Sequence, residues 1–108
     1  MHNETDSAAP PERAFIEAIA LKRLVRAVYN GAAMLLAPHQ LFQRHGAIFV
    51  SALNTARTWR SDEAPRLGQF KLDGLSEVRV ADESFEPLPD YTGEPAREGD
   101  EPIFSIAA

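Results

Sequence analysis

The residues best suited to chemistry in this sequence are cations around a single tryptophan. Arg57 and Arg60 flank Trp59, and an aromatic ring among cations is typical of surfaces that stack nucleobases and hold phosphates. A tryptophan in a loop serves equally often as a lid over the core, so both interpretations stay open. Together with cations in predicted strands, the candidates for one basic groove are Arg26, Arg44, Arg57, Trp59, Arg60 and Lys71. Such a groove predicts binding of an anionic ligand, with single-stranded nucleic acid as one possibility.

The charges of the chain are segregated along its length. The net charge is −5, but residues 22–60 contain six basic and no acidic side chains, whereas residues 82–108 contain eight acidic side chains and one arginine. This pattern predicts a basic domain with an acidic tail. The sequence favours a disordered tail that keeps the protein in solution, and the alternative is a tail that folds back over the basic surface and controls access to it.

Motifs of known enzyme active sites are missing from the sequence. It has no cysteine, which excludes disulfides, thiolate metal sites and cysteine nucleophiles together. It also has no glycine-rich phosphate loop, no Gly-x-Ser-x-Gly turn and no His-Glu-x-x-His helix. Ser51 and Ser76 fall in predicted strands without a nearby base, and His39 and His45 have no carboxylate ligand close in sequence. We therefore predict a protein that is not an enzyme and that uses no metal and no cofactor.

Length and composition allow one small domain. The chain has 108 residues, 44% of them hydrophobic, which is enough for one modest core. We expect a disordered N-terminus over residues 1–10, a folded domain over 11–87 and an acidic, Pro- and Gly-containing tail over 88–108. No apolar run approaches the roughly 18 residues of a membrane span, and the polar, acidic N-terminus is unlike a signal peptide. We expect a soluble, cytoplasmic protein with no membrane partner.

The elements of the domain are arranged around residues 41–54, where two apolar runs flank His45-Gly46. This pattern predicts a β-hairpin, because His-Gly favours a tight turn between the two runs. Side chains of its second arm alternate between two faces, with Phe49, Ser51 and Leu53 on one and Ile48, Val50 and Ala52 on the other. Both faces are apolar or small, which predicts a central strand.

The remaining elements precede and follow this hairpin. Periodicity predicts a helix over 11–23 and strands over 24–29, 32–37, 67–72 and 75–80, with a loop over 55–66. Asn30-Gly31 and Asp73-Gly74 are turn signals, and Pro38 ends its strand at an edge, a bulge or a bend. One helix over the open end of five short strands predicts a mainly β, five-stranded barrel with a disordered acidic C-terminal tail.

A succession of short motifs runs through residues 15–87. They are Glu17-Ala18-Ile19, Tyr29, Pro38 before Leu41, Gly46-x-x-Phe49-Val50, Phe70-Lys71-Leu72-Asp73-Gly74-Leu75 and Phe85-Glu86-Pro87. This succession resembles the WYL domain family of bacterial transcription regulators. The resemblance implies an SH3-like or Sm-like barrel that senses ligands, nucleic acid among them, through a basic groove. The sequence contains no winged helix, so the implied role is that of a stand-alone sensing module.

The resemblance adds two aromatic residues to the candidate ligand site. The family's Trp-Tyr-Leu triplet falls on Ile48, Phe49 and Val50, and a family tyrosine falls on Tyr29. Two family arginines fall on Met34 and Gly74, which cannot bind phosphate. Tyr29 lies on the same strand face as two small apolar residues, so a core ring is the alternative to a ligand contact. The full set of predicted ligand contacts is Arg26, Tyr29, Arg44, Phe49, Arg57, Trp59, Arg60 and Lys71.

A second function, from another class, stays open beside ligand sensing. Open strand edges, or residues Ile103 to Ile106 after the polar tail, suit pairing with a second copy or a separate regulator. The protein would then be an interaction or oligomerisation module that binds no nucleic acid. For the terminal residues themselves, a flexible end is the alternative.

Overall fold

The computed structural model describes residues 11–56, 65–89, 91–95 and 97–106. This part of the chain forms an antiparallel sheet with one helix. Its elements are α1 (Pro11–Leu21), β1 (Arg23–Tyr29), β2 (Ala32–Arg44), β3 (Ala47–Asn54), β4 (Gly68–Lys71), a 3₁₀ turn (Leu72–Gly74), β5 (Leu75–Ser84) and β6 (Glu101–Ser105). Within these ranges, no helix is long and apolar enough to cross a membrane. The predicted contacts Arg57, Trp59 and Arg60 lie outside the described residues.

Helix α1 covers one face of the sheet with the apolar side that its periodicity predicts. Phe15, Ala18 and Ile19 are buried in the main core, and the helix contacts β1, β2 and β5. The helix ends at Leu21 rather than at residue 23. Lys22 adopts a positive φ of 57° and its amide bonds the carbonyl of Ile19, a conformation that closes a helix and sends the chain into β1.

The predicted hairpin turns at Asn30-Gly31 and His45-Gly46 are confirmed. The predicted turn at Asp73-Gly74 lies in the 3₁₀ turn between β4 and β5, and in the described ranges these two strands do not pair with each other. The φ angles are 52° and 78° at Asn30 and Gly31, and 52° and 79° at His45 and Gly46. Two consecutive residues with positive φ make the tight turn that suits the twist of paired strands. Strands β1, β2 and β3 are consequently antiparallel neighbours, and β3 lies between β2 and β4 as a central strand.

Strand β2 continues through Pro38, so the prediction that a strand ends there is wrong. The register between β2 and β3 shifts between Pro38 and Gln40, which marks a β-bulge. Proline is tolerated at a bulge because it has no amide hydrogen to donate to the neighbouring strand. The bulge divides β2 in two. Its first half pairs with β1 and its second half pairs with β6 on the same edge, while β3 pairs along the opposite edge.

The sheet is open, which corrects the prediction of a closed five-stranded barrel. Its order is β4-β3-β2-β1-β5, with β6 beside β2, and no pairing joins β4 to β5 among the described residues. The sheet is nevertheless curled. Lys71 ends β4 and Leu75 begins β5, so the two edge strands are joined across four residues, which span at most roughly 14 Å. In a flat five-stranded sheet, the two edge strands would lie about 19 Å apart.

The C-terminal segment is part of the fold, and the prediction of a disordered tail is wrong for residues 101–106. Strand β6 pairs with β2, and Ile106 is buried in the main core with 7% of its surface exposed. Its amide donates to the carbonyl of His39 over 2.9 Å. The second half of β2 needs a partner for its backbone groups on that edge, and β6 supplies it.

Truncation of the last buried residue tests whether the segment contributes to stability. We expect Ile106→Ala to lower the free energy of unfolding by about 2–4 kcal/mol, because it removes buried methyl groups and leaves a cavity. Urea denaturation at neutral pH measures this change. Ile103→Ala is the matched control, since Ile103 is 42% exposed and its truncation is expected to cost less than about 0.5 kcal/mol. Equal losses from the two substitutions would contradict docking of the segment.

Candidate functional site

A row of polar side chains crosses four strands on the sheet face opposite α1. Gln40 on β2 is the partner of Ser105 on β6 and of Ser51 on β3, and Ser51 is the partner of Gln69 on β4. Gln40 is 1% exposed, and its Nε2 donates to the hydroxyl of Ser105 (2.9 Å) and to the carbonyl of Gly93 (3.0 Å). A buried amide that is satisfied by partners from a distant segment holds that segment against the sheet.

A cavity of about 330 Å³ lies between this polar row and the C-terminal segment. Its size falls at the lower end of the range for small-molecule sites, roughly 300–1,000 Å³. Amide, hydroxyl and charged groups contribute to its lining, which consists of Gln40, Ser51, Pro65, Arg66, Leu67, Gln69, Leu88, Tyr91, Thr92 and Glu94. The lining therefore combines polar groups with the apolar side chains of Pro65, Leu67 and Leu88.

Next to the polar row, two aromatic rings support a cation. Phe42 and Phe49 are cross-strand partners whose rings stack 5.5 Å apart with an interplanar angle of 12°. The guanidinium carbon of Arg44 lies 5.1 Å from the centroid of each ring, within the range of a cation–π contact. Lys71 is the partner of Phe49 on β4 and points to the same face. Three predicted ligand contacts, Arg44, Phe49 and Lys71, are thus brought together.

The carboxylate of Asp100 binds Arg44 from the C-terminal segment. Nε of Arg44 donates to Oδ1 over 2.8 Å and Nη2 donates to Oδ2 over 2.7 Å, and Nη2 also donates to Oε1 of Gln69 over 3.0 Å. The side chains of Arg44 and Asp100 are only 12% and 2% exposed. Hydrogen bonds from Arg44 lower the pKa of Asp100 despite the opposing effect of burial, and the bonds to Asp100 raise the pKa of Arg44.

Asp100 also forms a hydrogen bond within the C-terminal segment. Its Oδ2 accepts the backbone amide of Arg97 over 3.1 Å, so the carboxylate also orders the turn before β6. The C-terminal segment therefore folds back onto Arg44, one of the cations of the predicted groove, whereas the sequence favoured a disordered tail. In the observed conformation, the guanidinium group of Arg44 is bound by the carboxylate of Asp100 from the same chain.

His39 joins the bulge of β2 to the C-terminal segment. Its Nδ1 donates to the carbonyl of Ala37 (2.9 Å), and its Nε2 accepts the amide of Leu88 (3.0 Å), so these partners assign the neutral tautomer. The ring contacts Phe85 and Tyr91. Burial lowers the pKa of His39. Because Nε2 must accept a hydrogen bond, protonation would break the contact with Leu88.

Among the predicted contacts that the structure describes, Arg26 and Tyr29 do not join this cluster. Arg26 is exposed and lies 3.4 Å from the carboxylate of Glu83. Its partner on β2 is Leu35, nine positions before Arg44, so Arg26 and Arg44 lie far apart along the sheet. The ring of Tyr29 packs edge-to-face on Phe70, 5.4 Å away, at the border of the main core. This contact favours the core interpretation of Tyr29.

Sequence reasoning missed the polar groups that form the cavity. Gln40, Ser51 and Gln69 could have been found from the strand period, since Gln40 shares a face with Phe42 and Arg44. No sequence signal singled out Asp100 among the acidic residues of the tail.

The fold and the site define a small antiparallel β protein whose C-terminal segment lines an open cavity beside a row of polar side chains. The residues that the structure describes contain no group of three or more His, Asp or Glu side chains that could hold a metal ion. Comparison of the chain with protein-family models, curated proteins and solved structures found no match.

The pH dependence of stability tests the role of His39. Because its folded-state pKa is lowered from the ordinary 6.5, the unfolded chain takes up the proton more readily. We expect stability to be fully present above about pH 6.5 and to fall as the pH decreases below it, by at most about 1.4 kcal/mol per pH unit for this one proton. Chemical denaturation between pH 8 and 5 measures the slope.

Two variants locate the origin of that slope. His39→Gln removes the titrating group and should flatten the dependence, whatever its effect on overall stability. His45→Asn removes a histidine from an exposed turn with positive φ, which Asn tolerates, and should leave the slope unchanged. A slope that survives His39→Gln would assign the dependence to another group.

Proposed function

We propose that this protein is a non-enzymatic sensing module that binds a small anionic ligand beside the polar row, with Arg44 holding its anionic group. The observation that carries the proposal is the ion pair between Arg44 and Asp100. Two parallel bonds of 2.8 and 2.7 Å are the geometry in which the arginine fork recognises a carboxylate or phosphate. Asp100 stands in for such a group, so ligand binding and docking of the tail compete for Arg44.

The cavity supplies the rest of the proposed site. Gln69 bonds Arg44 through its carbonyl oxygen and also lines the cavity, so the cation and the cavity are contiguous. Arg66 places a second cation in the lining, Ser51 and Thr92 add hydroxyl groups, and Glu94 adds one acidic group. A ligand that carries an anionic group and several polar groups therefore matches this surface better than an apolar ligand does.

A small ligand fits the described surface better than a nucleic-acid strand. A strand needs a continuous line of cations, but Arg26 is separated from Arg44 by roughly 30 Å of extended strand. The proposed relation to the sensing barrels of WYL regulators rests on the sequence motifs and is supported by the curled sheet. Single-stranded nucleic acid stays an alternative ligand that the test below includes.

Removal of the competing carboxylate tests the proposal. We expect Asp100→Asn to tighten binding of adenosine monophosphate about tenfold or more, because the phosphate no longer competes with a carboxylate for Arg44. Isothermal titration calorimetry at about 50 and 200 mM salt measures the affinity. Glu98→Gln is the matched control: it makes the same charge change at an exposed residue that has no side-chain hydrogen bond or ion pair within the described ranges.

The outcomes separate the candidate ligands. Arg44→Gln combined with Asp100→Asn should abolish the gain. Equal affinities for Asp100→Asn and Glu98→Gln would overturn the role of Arg44. A labelled single-stranded oligonucleotide, followed by fluorescence anisotropy, would replace the small ligand only if it binds more tightly than the nucleotide and loses affinity steeply with salt.

A second candidate function, a protein-interaction module, is favoured by the outer edge of β6. Within the described residues β6 pairs with β2 alone, and its Ile103 and Phe104 are 42% and 36% exposed. A strand with an unpaired edge and exposed apolar side chains is suited to pairing with another strand. A second copy of this chain is the simplest partner.

Sedimentation of the protein at several concentrations tests this second candidate. We expect a concentration-dependent dimer that Ile103→Lys dissociates, since a charge on an edge strand opposes pairing. Leu21→Lys is the control, because Leu21 is an exposed apolar residue, 54% accessible, at the end of α1. A monomer at all concentrations would exclude pairing between copies.

A further inference from the structure

A second cavity, of about 370 Å³, lies between the end of α1 and the C-terminal segment. It shares Tyr91 and Thr92 with the first cavity, so these two residues separate the two spaces. Its lining consists of Lys22, Phe85, Glu86, Pro87, Tyr91, Thr92, Gly93 and Ile106. Apart from Tyr91 and Thr92, its lining residues do not line the first cavity.

The walls of this second cavity are largely apolar and are held in place by backbone bonds. Phe85, Pro87, Tyr91 and Ile106 contribute rings and aliphatic groups. The amide of Phe85 donates to the carbonyl of Lys22 over 2.9 Å, and the amide of Ile106 donates to the carbonyl of His39 over 2.9 Å. Phe85 is therefore anchored to the end of the helix and Ile106 to the sheet.

Two opposite charges line the same space. Lys22 is partly buried at the helix end, where its positive φ of 57° turns the chain. Glu86 is exposed, follows Phe85 in the chain and also lines the cavity. Neither side chain has an ion pair or hydrogen bond within the described part of the chain. A cation and an anion beside an apolar cavity are complementary to a ligand with both charges and an apolar body.

We propose that the second cavity binds a small zwitterion with an apolar side chain, of the class of the apolar amino acids. Lys22 pairs with the carboxylate of the ligand, Glu86 pairs with its ammonium group, and the apolar body lies against Phe85, Pro87 and Ile106. A ligand with only a negative charge would meet repulsion from Glu86, and one with only a positive charge would meet repulsion from Lys22. This site is independent of the anion site at Arg44.

Three related probes test the proposal on the full chain. L-phenylalanine carries both charges, 3-phenylpropionate lacks the ammonium group, and phenethylamine lacks the carboxylate. We expect L-phenylalanine to bind at least about tenfold more tightly than either analogue in isothermal titration calorimetry. Amide chemical-shift changes should concentrate at Phe85, Gly93 and Ile106 and spare Ser51 and Gln69, which line only the first cavity.

Substitutions assign the two charges separately. Lys22→Gln should weaken the binding of L-phenylalanine about tenfold, whereas phenethylamine should bind with the same or a higher affinity. Glu86→Gln should also weaken the binding of L-phenylalanine, whereas 3-phenylpropionate should bind with the same or a higher affinity. Arg23→Gln and Asp82→Asn are controls that make the same charge changes outside the cavity lining. No saturable binding of L-phenylalanine at 10 mM, or equal binding of all three probes, would overturn the proposal.

Discussion

Strand β2 carries the pairing of three other strands, and the bulge after Pro38 makes this possible. The register shift between Pro38 and Gln40 bends the strand and changes which side chains face the core. Before the bulge, the edge of β2 opposite β3 pairs with β1, and after the bulge the same edge pairs with β6. Without the second half of β2, the C-terminal segment would have no edge to pair with, and both cavities would lose the part of their lining that this segment supplies.

Burial of polar groups explains why the C-terminal segment docks in one place. Gln40 and His39 are each at most 1% exposed, and their hydrogen bonds reach Gly93, Ser105 and Leu88. A buried donor or acceptor without a partner costs free energy, so the sheet and the segment satisfy each other. The pair of Arg44 with Asp100 adds a charge-specific contact to this set.

The same arrangement links the two cavities. Tyr91 and Thr92 line both, and Tyr91 also donates from its hydroxyl to the carbonyl of His39 over 3.3 Å. Tyr91 and Thr92 therefore form a wall that the two cavities share. Asp100 holds the C-terminal segment against the sheet through its ion pair with Arg44.

Local signals in the sequence determined the helix, the two hairpin turns and the central position of β3. A turn at Asn30-Gly31 depends only on the φ preferences of two residues, and the burial of Val50 and Ala52 follows from the strand period. The site depended on contacts between residues far apart in the chain. Asp100 meets Arg44 across 56 positions, and β6 pairs with β2 although its own residues, with Pro102, give a weak strand pattern. Only the tertiary structure decided these contacts, because the free edge and the buried polar groups of β2 exist only once the sheet has formed.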